Sequence, residues 1–265
     1  SDIVGLRIVL DERSLFDEPK PSKRIGVFSV AKDRQVSFSQ GNLQYVRNQD
    51  VWKFADQQYE YIGAGNVKDG ELANKIDLFG WSADNTTAPF GVSTSVNNTD
   101  YLGDFVDWSV NEINIDKPNM WRTLSRDEWE YLLNNRPNAS SLKGIAQVNG
   151  VSGLILLPDN WTCPSGVTFT PGFYSEYSVE AYGQYQTFSA DQWSKLESAG
   201  AVFLPASGYR YGSDVDDVRS GGRYWSATKN DSGGADCLEF SSGKAYMGTK
   251  GSFYYGRAVR LVKDL

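Results

Sequence analysis

At 265 residues the chain has room for one large domain or two small ones, and length alone does not choose. A hydrophobic share of 40% against 22% charged residues, with no apolar run of 18 residues, reads as an ordinary soluble globular chain without a membrane-spanning helix. The net charge of −7 and the lack of any Lys/Arg cluster argue against nucleic acid, whose phosphates demand a basic patch, and the absence of histidine removes the commonest general base and zinc ligand.

Residues 3–10 (IVGLRIVL) read as a strand, and the charged stretch that follows, with Pro19 and Pro21, reads as a linker. Residues 1–24 are therefore set apart, either as the tail of a preceding domain or as a strand returning to pair. The chain opens at Ser1 without a leader-like stretch, which reads as a mature or trimmed form. Residues 25–45 predict strand, turn, strand, turn, strand, with Gly41 in a turn that needs positive φ. Residues 62–120 are rich in Gly, Asn and Asp and carry no helical period, so they predict long loops.

Two helices are expected. In the first, 124–137, Ser125 caps and Glu128 answers it three residues on, Leu124 and Trp129 form a hydrophobic staple, and Pro137 stops the helix. In the second, 188–200, Ser189, Gln192, Phe188 and Trp193 repeat the pattern and Gly200 ends it. Further strands are read at 153–161, 202–210 and 223–228, with a hairpin at 237–248 and a last strand over 258–262. The sum is an α+β chain with two helices, small antiparallel sheets and long loops.

The aromatic content, 8 Trp and 15 Tyr among it, has two readings: a large aromatic core in a fold poor in regular structure, or a recognition surface. The stretch GSFYYG (251–256) sharpens the choice. Adjacent side chains on a strand face opposite ways, so at least one of Phe253, Tyr254 and Tyr255 is expected outside. Cys163 and Cys237 exclude a Cys-x-x-Cys motif, and whether they pair is open. The sequons at Asn85, Asn97, Asn138, Asn160 and Asn230 matter only in a eukaryotic secretory path.

The ordered blocks FSQGNLQY, IDLFGW, WRTLSRDEWEYLL, GLILLPDNW, FLPASGYR, YWSAT and GRAVRLV resemble the C-type lectin-like fold in its formylglycine-generating-enzyme-related branch, over residues 25–265. Within that branch the chain is similar to variable proteins of diversity-generating retroelements from gut bacteria and their phages. The resemblance implies one lectin-like domain whose C-terminal segment, 219–262, is rewritten by adenine-directed mutagenesis. Asn230, Asp231, Ser232, Asp236, Cys237, Ser252, Phe253, Tyr254 and Tyr255 are residue kinds that process yields, while Ala235, Leu238 and Phe240 keep an apolar framework. Lys229, Lys244, Met247 and Lys250 depart from its usual products.

The expected function is ligand binding without catalysis, cofactor or metal, through an exposed surface of Arg223, Asp231, Ser232, Asp236, Cys237, Tyr246, Ser252, Phe253, Tyr254 and Tyr255. Tyr224 and Trp225 are assigned to the scaffold. The two cysteines do not match the closely spaced reactive pair of the related enzymes, and the calcium-site triplets of sugar-binding C-type lectins are absent, so the acidic run SDVDDV reads as a solvated turn. The implied partner is a protein or glycan on a cell surface. The implied location is extracellular, on the cell surface with a lipid anchor in the full-length protein, or on a phage particle. The alternatives are a fixed adhesion or structural module of the same fold and, more remotely, an enzyme-like relative acting on peptides.

Overall fold

The computed structural model describes residues 25–174 and 178–265; the strand and linker expected before residue 25 lie outside the described residues. The chain begins with the hairpin β1 (Phe28–Ala31) and β2 (Arg34–Phe38), then β3 (Leu43–Val46) and β4 (Val51–Phe54), and three two-residue strands, β5 (Val67–Lys68), β6 (Glu71–Leu72) and β7 (Lys75–Ile76). Helix α1 (Arg126–Glu130) follows a long stretch of turns, then β8 (Lys143–Val148), β9 (Val151–Leu156), α2 (Ala181–Tyr185), β10 (Thr187–Phe188), α3 (Ala190–Ser198) and β11 (Val202–Pro205). The C-terminal part holds β12 (Tyr209–Tyr211), β13 (Asp214–Asp216), β14 (Gly221–Asn230), β15 (Gly234–Ser241), β16 (Ala245–Ser252) and β17 (Val262–Asp264). The result mixes few helices with several small sheets. Among the described residues the ladders between these strands are antiparallel except that of β8 with β10, and isolated parallel bridges such as Tyr224 with Ala258 add to them.

Both predicted helix starts form as their local chemistry dictates. Ser125 Oγ accepts from the Glu128 amide at 3.2 Å and Glu128 Oε2 accepts from the Ser125 amide at 2.9 Å. Leu124 and Trp129 are both fully buried. The helix widens into a π turn over Tyr131–Asn135 and stops at Arg136, whose extended ψ of 154° is the conformation a following proline requires. Ser189 and Gln192 cap α3 in the same reciprocal way, and Gly200 closes it at φ 98°. The third helix, α2, corrects the expectation of two. It is a single turn, too short to display a 3.6-residue period, and it forms because Tyr182 is buried in the core.

Gly41 is a second correction. Its φ is not positive. It is glycine because a Cβ there would stand 2.5 Å from the Ala55 carbonyl oxygen.

The stretch 258–262 is extended but pairs in pieces rather than as one strand. Ala258 bridges to Arg223 and Trp225, Val259 and Leu261 accept from Leu43 and Ser39, and Val262 pairs with Arg122 before joining β2 as β17. This weaving stitches both ends of the described chain to its centre. Glu128 reinforces it: Arg122 donates to both Glu128 oxygens at 2.8 Å and, at 2.8–3.0 Å, to Asp264. Burial alone would raise the Glu128 carboxyl, but Arg122 and the cap amide hold it below the usual carboxylate range.

Most indoles go to the core. Trp52, Trp81, Trp108, Trp129, Trp193 and Trp225 are all buried, and the scaffold assignment of Tyr224 and Trp225 agrees with their burial. Asp77, also buried, accepts from the Ile62 amide and from Asn66 Nδ2, each at 2.8 Å; burial outweighs these bonds and pushes its carboxyl up to about 6.

Candidate functional site

The candidate site begins with the alternation Tyr-Arg-Tyr in β12. Period-two geometry puts Tyr209 and Tyr211 on one face and Arg210 on the other. Across the hairpin Tyr209 lies opposite Asp216 and Tyr211 opposite Asp214, so two tyrosines and two carboxylates share that face. The hairpin is fastened to the loop after β16 by a reciprocal pair of backbone hydrogen bonds between Arg210 and Gly256, each 2.8 Å.

That pairing brings Tyr254 and Tyr255 beside the hairpin. Ring centres of Tyr254 and Tyr255 are 4.9 Å apart, Tyr211 lies 5.6 Å from Tyr254 and 5.8 Å from Tyr255, and Tyr209 lies 5.6 Å from Tyr255. All four rings are partly exposed, Tyr211 most of all at 42%. Pairs at this spacing hold one another in place as well as burying area.

The sheet β14–β15–β16 continues the surface. Arg223, Glu239 and Tyr246 are cross-strand neighbours in register. The Arg223 guanidinium lies 3.8 Å from the Tyr209 ring centre and pairs with Asp217 at 2.9 Å. The Tyr246 hydroxyl donates to Glu239 at 2.9 Å; burial, and then that carboxylate, push the phenol up to about 12. Asp217, Arg223, Glu239, Lys244 and Tyr246 line a depression of about 70 Å³ next to the rings.

The ten residues expected to share one exposed surface do not all do so. Arg223, Tyr246, Tyr254 and Tyr255 are brought together. Asp231 and Ser232 are exposed but line, with Arg126, Lys229 and Thr249, a different shallow polar depression of about 320 Å³. Ser252 is half-buried, its carbonyl accepting from the Tyr255 amide.

Three of the ten are buried, which corrects their assignment to the exposed surface. Asp236 is buried in the wall of the depression that Asp231 and Ser232 line, where it pairs with Arg126 at 3.1 Å and accepts from Asn230 at 3.2 Å. Cys237 lies under Arg257, which donates to its sulfur, while the thiol donates to Glu239 at 3.3 Å; burial pushes the thiol up to about 12, so it is a poor nucleophile. Phe253 is 0% exposed and stacks on Trp81 at 4.9 Å, its amide donating to Asn98 and its carbonyl accepting from Trp81. Of the three rings in GSFYYG, one is a core plug and two face outward. Cys163 and Cys237 are both free, the first exposed and the second buried.

Tyr209 and Tyr211 were missing from the sequence-based surface. Their signal was the alternating SGYRY before an acidic turn, visible but unremarkable without its partner loop. Among the described residues no group of three or more Cys, Asp or Glu side chains is placed to hold a metal ion, and no helix is long and apolar enough to cross a membrane. No known family model matches the chain, and no curated protein or solved structure does either.

Proposed function

We propose that the protein is a non-catalytic binding module, of receptor or adhesin type, that engages a macromolecular ligand through the surface of Tyr209, Tyr211, Tyr254 and Tyr255 with Arg223 and Tyr246 at its side. The observation that carries this reading is the meeting of four partly exposed tyrosines from two chain segments, one pair on β12 and the other on a turn pinned to it by the Arg210–Gly256 backbone pair. Tyrosine supplies large contact area with few rotatable bonds, and a rigid base lowers the ordering cost of binding. The neighbouring depression of about 70 Å³ is far smaller than the roughly 300 Å³ at which small-molecule pockets begin, which favours a protein or glycan surface as partner. The C-type lectin-like fold and a location on a cell surface or phage particle belong to this proposal, on the resemblance of the sequence blocks.

Tyr211→Ala and Tyr254→Ala in the full chain, screened against bacterial surface proteins and polysaccharides, test it. Each substitution is expected to weaken binding by about tenfold or more, the loss of a typical contact residue, with little change in Tm. Unchanged binding in both variants, or turnover of a bound substrate, would overturn it.

Retroelement diversification is the first form of this proposal. A fixed adhesion module is the second, favoured by the burial of Asp236, Cys237 and Phe253 at positions of variable type. Sequencing the gene and its flanks across a population separates the two. Diversification predicts a near-copy of the 219–262 coding region differing mainly at adenines, with variation reaching Asp231, Ser232, Tyr246, Tyr254 and Tyr255. An invariant segment without such a copy leaves the fixed module.

A further inference from the structure

The glycines on either side of SFYY have specific partners. A Cβ on Gly251 would stand 2.8 Å from the Cζ, Nη1 and Nη2 atoms of Arg257 alike, so the glycine lies against the flat face of that guanidinium. The same guanidinium is 4.6 Å from the Trp225 ring and 5.5 Å from the Tyr255 ring. Arg257 thus reaches back across its own loop and clamps the start of it between backbone and indole. At the other end, a Cβ on Gly256 would meet Arg210 Cβ at 2.8 Å and Nε at 2.9 Å. Gly256 therefore rests along the Arg210 side chain, the residue to which it is also paired through its backbone.

Arg210 is an unusual support. It is 0% exposed, its Nη1 donates to the Gly212 carbonyl at 2.8 Å, and its Nε and Nη2 have no acceptor among the described residues. No carboxylate pairs with it among the described residues. A buried guanidinium without a counter-ion opposes folding, and an apolar side chain of similar length would remove that cost.

We propose that Arg210 and Arg257 are positioning residues for the tyrosine surface, seating Gly256 and Gly251 so that Tyr254 and Tyr255 are held against Tyr209 and Tyr211, and that Arg210 does so at the expense of stability. The proposal rests on the binding reading of that surface, but its test needs no ligand and so fails or succeeds separately.

The test uses the full chain, with hydrogen exchange of the 252–257 amides and NMR of ring-labelled tyrosines. Arg210→Met is expected to keep or raise Tm, while exchange in 252–257 accelerates at least tenfold and the Tyr254 and Tyr255 ring signals lose dispersion. Arg210→Lys, keeping the charge and a long stem, restores part of the protection. Gly256→Ala keeps the arginine but pushes a methyl into it, and is expected to loosen the same amides. Trp81 signals stay in place in all three.

Unchanged loop exchange in Arg210→Met would overturn the proposal. A fall in Tm that accompanies uniform loss of protection across the molecule would also overturn it, by making Arg210 an ordinary structural residue. If Arg210→Met does not fold, that result refutes the stability cost, and Gly256→Ala alone decides the positioning: faster exchange confined to 252–257 supports it, and native exchange there refutes it.

Discussion

Two pairs of buried arginines sit in different parts of the molecule and are treated in opposite ways. Arg136, after the π turn, donates to the Leu132 and Leu142 carbonyls and to Asp159. Arg260, between the N-terminal strands and β11, donates to Asn42, the Phe203 carbonyl and Gln58, and burial lowers its guanidinium to about 10. Arg210 and Arg257, below the tyrosine surface, meet far fewer acceptors: a single carbonyl for the first, a thiol and a carboxylate 3.6 Å away for the second. The first pair reaches three acceptors each, although the Arg260 Nε stays unpaired among the described residues. The second pair supports backbone from beneath. Burial of a charge does not by itself say what the charge is for; the acceptors around it narrow the choice.

The comparison breaks most sharply at Arg136. Arg136→Ala removes three hydrogen bonds from a charged donor, to Asp159 and to the Leu132 and Leu142 carbonyls, although Asp159 keeps Ser29 and Leu142 keeps the Leu157 amide. It is expected to cost about 3–5 kcal/mol in denaturant unfolding, from bonds to charged groups worth about 1.5–3 kcal/mol each. If Arg136→Ala were no more costly than Arg210→Met, the distinction between the pairs would collapse.

Next comes the loop itself, where neighbouring rings differ in the same sense. Phe253→Ala should cost about 3–5 kcal/mol by opening a cavity against Trp81. Tyr254→Ala should cost no more than about 1 kcal/mol, and equal losses at the two positions would place both rings in the core.

A buried anion sharpens the comparison further. The folded pKa of Asp77, about 6, stands above an unfolded value of about 3.9, so its contribution to stability is full below about pH 4 and is lost as pH rises through 6. Asp77→Asn should remove a change on the order of 3 kcal/mol from the pH profile of unfolding over that window. A profile unchanged by the substitution would show that the hydrogen bonds from Ile62 and Asn66 already offset burial.

The helix starts were legible because each is written in consecutive residues: Ser125, Glu128, Leu124 and Trp129 specify one another within a single turn. The β15–β16 hairpin was legible for the same reason. The tyrosine surface was only half legible. Tyr254 and Tyr255 stood out by composition, but their neighbours Tyr209 and Tyr211 lie more than forty residues earlier, and no local pattern announces the Arg210–Gly256 pairing that joins them. Phe253 was misplaced because strand alternation says that neighbours face opposite ways, not which of them faces in. Cys237 and Asp236 were misplaced because their burial depends on Arg257 and Arg126, contributed from elsewhere.

The late placement of β17 also sets a schedule. Its partner β2 lies more than two hundred residues upstream, and 258–262 must find Ser39, Leu43, Arg122, Arg223 and Trp225 before the sheet β1–β2–β17 can close. Contacts so distant in sequence form slowly, and not before residues 262–264 have been synthesised. The tyrosine loop lies between β16 and this last strand. Its amides are therefore expected to gain protection last in pulse-labelled refolding, so that the four rings meet only in a chain that has otherwise finished folding.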